Sequence, residues 1–149
     1  GVQTCALPIC GSAYCAAKFA VVGLSEALNN ELNQFGIQTA AVAPGAFRTD
    51  FRDASSMHFI SNPMSEYDGT PAHTMIDWLK ENNHKQAGDP EKAAEFLYKI
   101  ATGKSLPQIL TLGQDCCDAA LTHYRQIVHE IEAYYDDACK TAVEERENR

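Results

Sequence analysis

The segment Tyr14-Cys15-Ala16-Ala17-Lys18 sets a phenol and an ammonium group one helical turn apart in sequence. On a helix that interval stacks the two side chains on one face. A phenol with its ordinary pKa near 10 is a poor base at neutral pH. A cation held at about 4 Å, in an effective dielectric near 20, favours the phenolate by roughly 4 kcal/mol. Lys18 is therefore expected to bring Tyr14 towards working pH, as an acid/base group. Tyr14 could then take a proton from an alcohol, or give one to a carbonyl. The spacing by itself is equally compatible with a solvated helix face.

Such a pair needs a helix, and the surrounding residues predict one. From Ser12 or Ala13 to Phe35 the chain is rich in Ala, Leu and Glu, with Leu24, Leu28 and Leu32 at intervals of four and Gly36 placed as a stop. Ile37 to Ala43 is a short apolar run of small and branched residues, closed by Pro44-Gly45. It reads as a buried strand of a parallel sheet ending in a turn. Helix followed by such a strand implies α/β organisation.

Asp50 to Pro71 has turn residues and mixed polarity without a period, which predicts a long loop with short helical pieces. His73 to Asn82 reads as a short helix. Asp89 caps a further helix, with Pro90 in its first turn, Ala93 to Ala101 carrying the period and Gly103 ending it. Ile109 to Leu112 is a second strand, completing one parallel crossover unit. Between Asp115 and Thr141 the residues Ala120, Tyr124, Ile127, Ile131, Tyr134 and Ala138 form one apolar stripe on a last helix. Packing of that stripe onto its own domain is favoured over self-association, because the stripe is too short for a sustained coiled coil.

Composition narrows the partners. Twelve Lys and Arg against twenty Asp and Glu leave a net charge of -8 over 149 residues, which disfavours a phosphate-backbone ligand, so no nucleic acid is expected. No run approaches the roughly 18 apolar residues that span a bilayer, so no membrane partner is expected either. The six cysteines show neither a C-x-x-C pair nor His at zinc-binding spacing. They are read as reduced thiols in the cytoplasm, with no metal site.

The opening residues Gly1 to Ile9, GVQTCALPI, have no secondary-structure period. The codons GGA GTT CAG ACG TGT GCT CTT CCG ATC would encode them, and that string resembles a sequencing-library adaptor. Residues 1–10 are accordingly read as non-native and set aside from fold reasoning. Residues 11–135 are read as the folded part, and 136–149 as a charged tail that frays.

In context the pair becomes specific. SAYCAAKFAVVGLSEALNNEL, followed by AAVAPGAFRTDF, resembles the NAD(P)-dependent short-chain dehydrogenase/reductase family. The resemblance runs from Gly11 to about Tyr135 and includes the order helix, strand, variable loop, G-D-P-E helix, strand and terminal helix. It implies an α/β fold: the C-terminal part of a doubly wound, Rossmann-type parallel sheet. It also implies hydride transfer between NAD or NADP and a small alcohol or carbonyl substrate. In that case Tyr14 is the catalytic acid/base and also a cofactor-binding residue, and Lys18 tunes it and binds the nicotinamide ribose. Pro44, Gly45, Phe47 and Thr49 fall in the P-G-x-x-x-T turn that meets the nicotinamide carboxamide, although Thr49 could equally be a cap. Phe51, Met57, Phe59 and Met64 are candidate pocket lining, and the full-length protein is expected to be a homo-oligomer.

Several family features have no counterpart. The glycine-rich phosphate turn and the catalytic asparagine are missing from the sequence. The catalytic serine, expected about thirteen residues before the tyrosine, would fall on Gly1. This polypeptide alone is therefore expected to be inactive. Two other readings stand beside the dehydrogenase: a sugar-nucleotide epimerase, disfavoured by A-P-G-A-F-R-T-D where an N-V-Y-G-P-like turn is usual, and a helical dimerisation module, which would not need the strand and turn at Ile37 to Thr49.

Overall fold

The computed structural model describes residues 12–53, 55–57 and 64–143. Helix α1 runs Ser12–Leu32 and tightens into a 3-10 turn at Asn33–Phe35. Gly36 then reverses the chain at φ 76°, its N–H bonded to the Asn33 carbonyl at 2.9 Å; a side chain at that φ would be strained. Strand β1 is Ala41–Pro44 and strand β2 is Ile109–Leu112. Between them come 3-10 turns at Asp50–Arg52 and Ser65–Tyr67, helix α2 at Pro71–Glu81 and helix α3 at Pro90–Ala101. Helix α4, Gln114–Cys139, follows β2 directly.

The two strands pair in parallel, Ala41 opposite Ile109 and Pro44 opposite Leu112, so the expected α/β architecture with a parallel sheet is what the chain adopts. Asp89 caps α3 as its sequence implied, its carboxylate accepting from the Glu91 N–H at 2.9 Å. The first strand is shorter than Ile37 to Ala43. Pro107 cannot donate to a ladder, and pairing starts only where Ala41 N–H meets the Gln108 carbonyl at 3.0 Å. Upstream, side chains take over: the Thr39 hydroxyl donates to the Ser25 carbonyl at 2.8 Å, and the Gln38 side-chain oxygen accepts from Leu106 N–H at 2.7 Å.

Ala43, Cys116 and Ala120 form the centre of the core, with Ile109 and Ala119 packed against them. These small side chains let α4 lie close on the sheet, and the Cys116 thiol donates to the Ala43 carbonyl at 3.0 Å. The far end of the α4 stripe, beyond the half-buried Ile127, departs from expectation. Ile131 and Tyr134 are 60% and 72% exposed. The reason is length: a helix of 26 residues spans about 39 Å, whereas strands of four residues run about 13 Å, so the helix overhangs what it covers.

A core built largely of Ala and Cys buries little area at roughly 25 cal/mol per Å². Fixing each residue's backbone costs about 1–2 kcal/mol. Leu24, Phe35 and Ile37 are meanwhile left exposed. Expressed alone, the 149-residue chain should aggregate, or bind 8-anilinonaphthalene sulfonate and melt without cooperativity; a soluble monomer with one sharp thermal transition would contradict this.

Candidate active site

Tyr14 and Lys18 lie in the first two turns of α1, both half-buried. The Lys18 ammonium sits 5.4 Å from the centroid of the Tyr14 ring, within cation–π range. The predicted pair is thus brought together. Its electrostatics differ from the expectation: the Tyr14 pKa is raised, first by burial and second by the neighbouring Cys15. Burial disfavours the phenolate, and at this separation the cation does not reverse that.

The turn after β1 is held from two sides. Pro44 closes the ladder opposite Leu112, and Gly45 N–H donates to the Leu112 carbonyl at 2.7 Å. Ala46 N–H donates to Oδ2 of Asp115 at 2.7 Å. Its carbonyl accepts from Gly88 N–H at 3.1 Å, and Arg48 N–H donates to the Gly88 carbonyl at 2.9 Å. Those two bonds make an isolated parallel bridge between Phe47 and Gly88. In such a bridge the N–H and C=O of Phe47 itself face away from Gly88, and neither is hydrogen-bonded among the described residues. Pro44, Gly45 and Phe47 are thereby gathered into one rigid edge.

Thr49 has the capping role. It precedes the Asp50–Arg52 turn and its Oγ1 accepts from Phe51 N–H at 3.4 Å, which leaves the hydroxyl proton for another acceptor. Of the candidate lining residues, Phe51 and Met64 are exposed and Met57 is half-buried, while Phe59 lies outside the described residues. Arg52 stacks over the Trp78 ring at 5.3 Å. Its pKa is lowered by burial, an effect opposed by Asp115.

Two residues in this arrangement were not singled out by sequence reasoning. A Cβ on Gly88 would stand 2.7 Å from both the Ala46 carbonyl oxygen and Cδ1 of Phe47. Asp115 ties the start of α4 to the turn; the available signal was an acidic residue in the first turn of a helix following a strand and Gly113. Asp50, Asp53 and His84 also gather, with one ligand atom from each within 4.8 Å of the others. Here Oδ1 of Asp53 accepts from the Asn83 side chain at 2.6 Å and pairs with His84 Nε2 at 2.9 Å, so the group fastens the loop to the α2–α3 connection. Among the described residues no helix is long and apolar enough to cross a membrane, and Cys15, Cys116, Cys117 and Cys139 are unbridged.

Comparison with known proteins agrees with the fold. A family profile described as short chain dehydrogenase matches residues 4–58, beginning inside the segment read as adaptor-derived and including both Tyr14 and the Pro44 turn. An uncharacterised oxidoreductase of Schizosaccharomyces pombe is 34% identical over 128 residues, which is 83% of this chain and 41% of that protein. Another, from Bacillus subtilis, is 32% identical over 98 residues, 66% of this chain and 35% of that protein. The crystal structure of a short-chain dehydrogenase from Streptomyces avermitilis superposes with a TM-score of 0.69 at 30% identity, over 89% of this chain and 47% of that one. The chain therefore spans less than half the length of these relatives. On the matching profile, the oxidoreductase relatives and the superposing dehydrogenase structure, the chain belongs to the short-chain dehydrogenase/reductase family.

Proposed function

We propose that the chain is the part of an NAD(P)-dependent oxidoreductase that carries its acid/base group and the nicotinamide end of its cofactor site, acting on an alcohol or carbonyl substrate. The observation that carries this reading is the edge at Phe47. With Ala46 pinned through both its peptide groups, the Phe47 N–H and C=O stand as an adjacent donor and acceptor, the complement of a carboxamide's oxygen and NH₂. The Thr49 hydroxyl proton adds a second donor nearby in sequence. The nicotinamide, when bound, supplies or accepts the hydride.

The chain's own residues handle the proton. In oxidation the Tyr14 oxygen takes the proton of the substrate hydroxyl as the carbon gives up hydride; in reduction the Tyr14 hydroxyl returns it to the carbonyl oxygen. Lys18, over the ring, stabilises the phenolate when it forms. The exposed apolar overhang of α4 and the unbridged thiols accord with a homo-oligomer in a reducing compartment. The test is fluorescence titration of the intact gene product with NADH and with NADPH: saturable binding of either supports the reading, and binding of neither overturns it.

A pH profile follows from the raised Tyr14 pKa. Carbonyl reduction, which uses the protonated phenol, should stay flat from about pH 6 to 9, whereas alcohol oxidation needs the phenolate and should climb about tenfold per unit over that range. Lys18→Met should displace the oxidation limb further upward. An oxidation rate that levels off near neutrality would show that bound substrate and cofactor reverse the influence of burial.

A further inference from the structure

We infer that Asp115 is a positioning residue for the cofactor turn, acting through its hydrogen bond to Ala46; this rests on the reading of that turn as the nicotinamide site. Three observations meet at this side chain. Its Oδ2 accepts from Ala46 N–H at 2.7 Å, across 69 residues of sequence. Its carboxylate fills the space beside Gly45, where a Cβ would overlap it, and Oδ1 lies 2.7 Å from where a Cβ on Gly113 would be. It also stands in the first turn of α4, where unpaired helix N–H groups favour a negative group.

The consequence concerns Phe47 rather than Asp115 itself. Gly88 holds only the carbonyl of Ala46, so without Asp115 the Gly45–Ala46 peptide can turn about the glycine. The donor-acceptor edge of Phe47 would then lose its fixed direction. Binding would suffer, because an edge that must be ordered on binding costs affinity that a pre-ordered edge does not. Acid/base chemistry at Tyr14 would be untouched once the site is filled.

The geometry makes opposite demands on two conservative changes. Asp115→Asn keeps an oxygen in the same place without the charge. Asp115→Glu keeps the charge but is one methylene too long for the space against Gly45. In the intact gene product, Asp115→Ala and Asp115→Glu should each raise the Kd for NADH or NADPH about tenfold, the effect of losing one hydrogen bond to a charged acceptor. Asp115→Asn should stay within about threefold of wild type, and kcat at saturating cofactor should be unchanged in all three. If wild type binds neither cofactor, the reading of the turn fails rather than this inference. If wild type binds and Asp115→Glu matches it while Asp115→Asn does not, charge matters instead of the placed acceptor, and the inference is overturned. Unchanged affinity in Asp115→Ala overturns it as well.

Discussion

Replacing Tyr14 with phenylalanine in the intact gene product should lower turnover by about two to four orders of magnitude, the range that a positioned acid/base group contributes. Cofactor affinity should stay within about twofold, since the ring that Lys18 covers at 5.4 Å is retained. Folding should change little, because a half-buried hydroxyl contributes on the order of 1 kcal/mol. The measurement is kcat with whichever alcohol or ketone of a screening panel the wild type accepts, beside an NADH or NADPH titration. Retention of more than a tenth of the activity would remove Tyr14 from the reaction. Loss of activity together with cofactor binding would instead give it a structural role.

Gly88→Ala should be the most damaging change outside the reacting groups. Its added methyl would stand 2.7 Å from the Ala46 carbonyl oxygen and from the Phe47 ring, closer than carbon contacts tolerate. Neither neighbour can retreat freely: that same carbonyl accepts the Gly88 N–H at 3.1 Å, and Arg48 N–H bonds the Gly88 carbonyl on the other side. Relief therefore breaks the bridge that directs Phe47. Overpacking of this kind costs about 1–3 kcal/mol, which corresponds to a fall in Tm of about 2–4 °C per kcal/mol in a protein of this size or larger. Cofactor affinity should fall by more than about tenfold, as the Phe47 edge is redirected and not merely loosened. A variant that melts and binds as wild type does would show that the turn has another support.

What could be foreseen from the residues was local. Asp89 and Pro90 mark the start of α3, and Gly36 the end of the first helical segment, because caps and left-handed turns are set by neighbours within a few positions. The Tyr14–Lys18 pairing was equally foreseeable, as four positions on a helix put two side chains on one face wherever that helix lies. Pro44-Gly45 marked the end of a strand for the same reason, the restricted backbone of one residue and the freedom of the next. The family's order of elements then gave these pieces a chemistry.

Other features required the chain to be folded. Whether Tyr14 is pushed towards phenol or phenolate depends on how deeply α1 is buried, which spacing does not contain. The overhang of α4 follows from the strands pairing over only Ala41–Pro44 and Ile109–Leu112, so an apolar stripe that looked internal has little beneath it. Phe47 owes its direction to Gly88, and Ala46 owes its anchor to Asp115. Those partners are remote in sequence and become neighbours only when the sheet register and the docking of α4 are set. Local residue types govern dihedral angles and caps, whereas contacts between distant segments come from packing elements together.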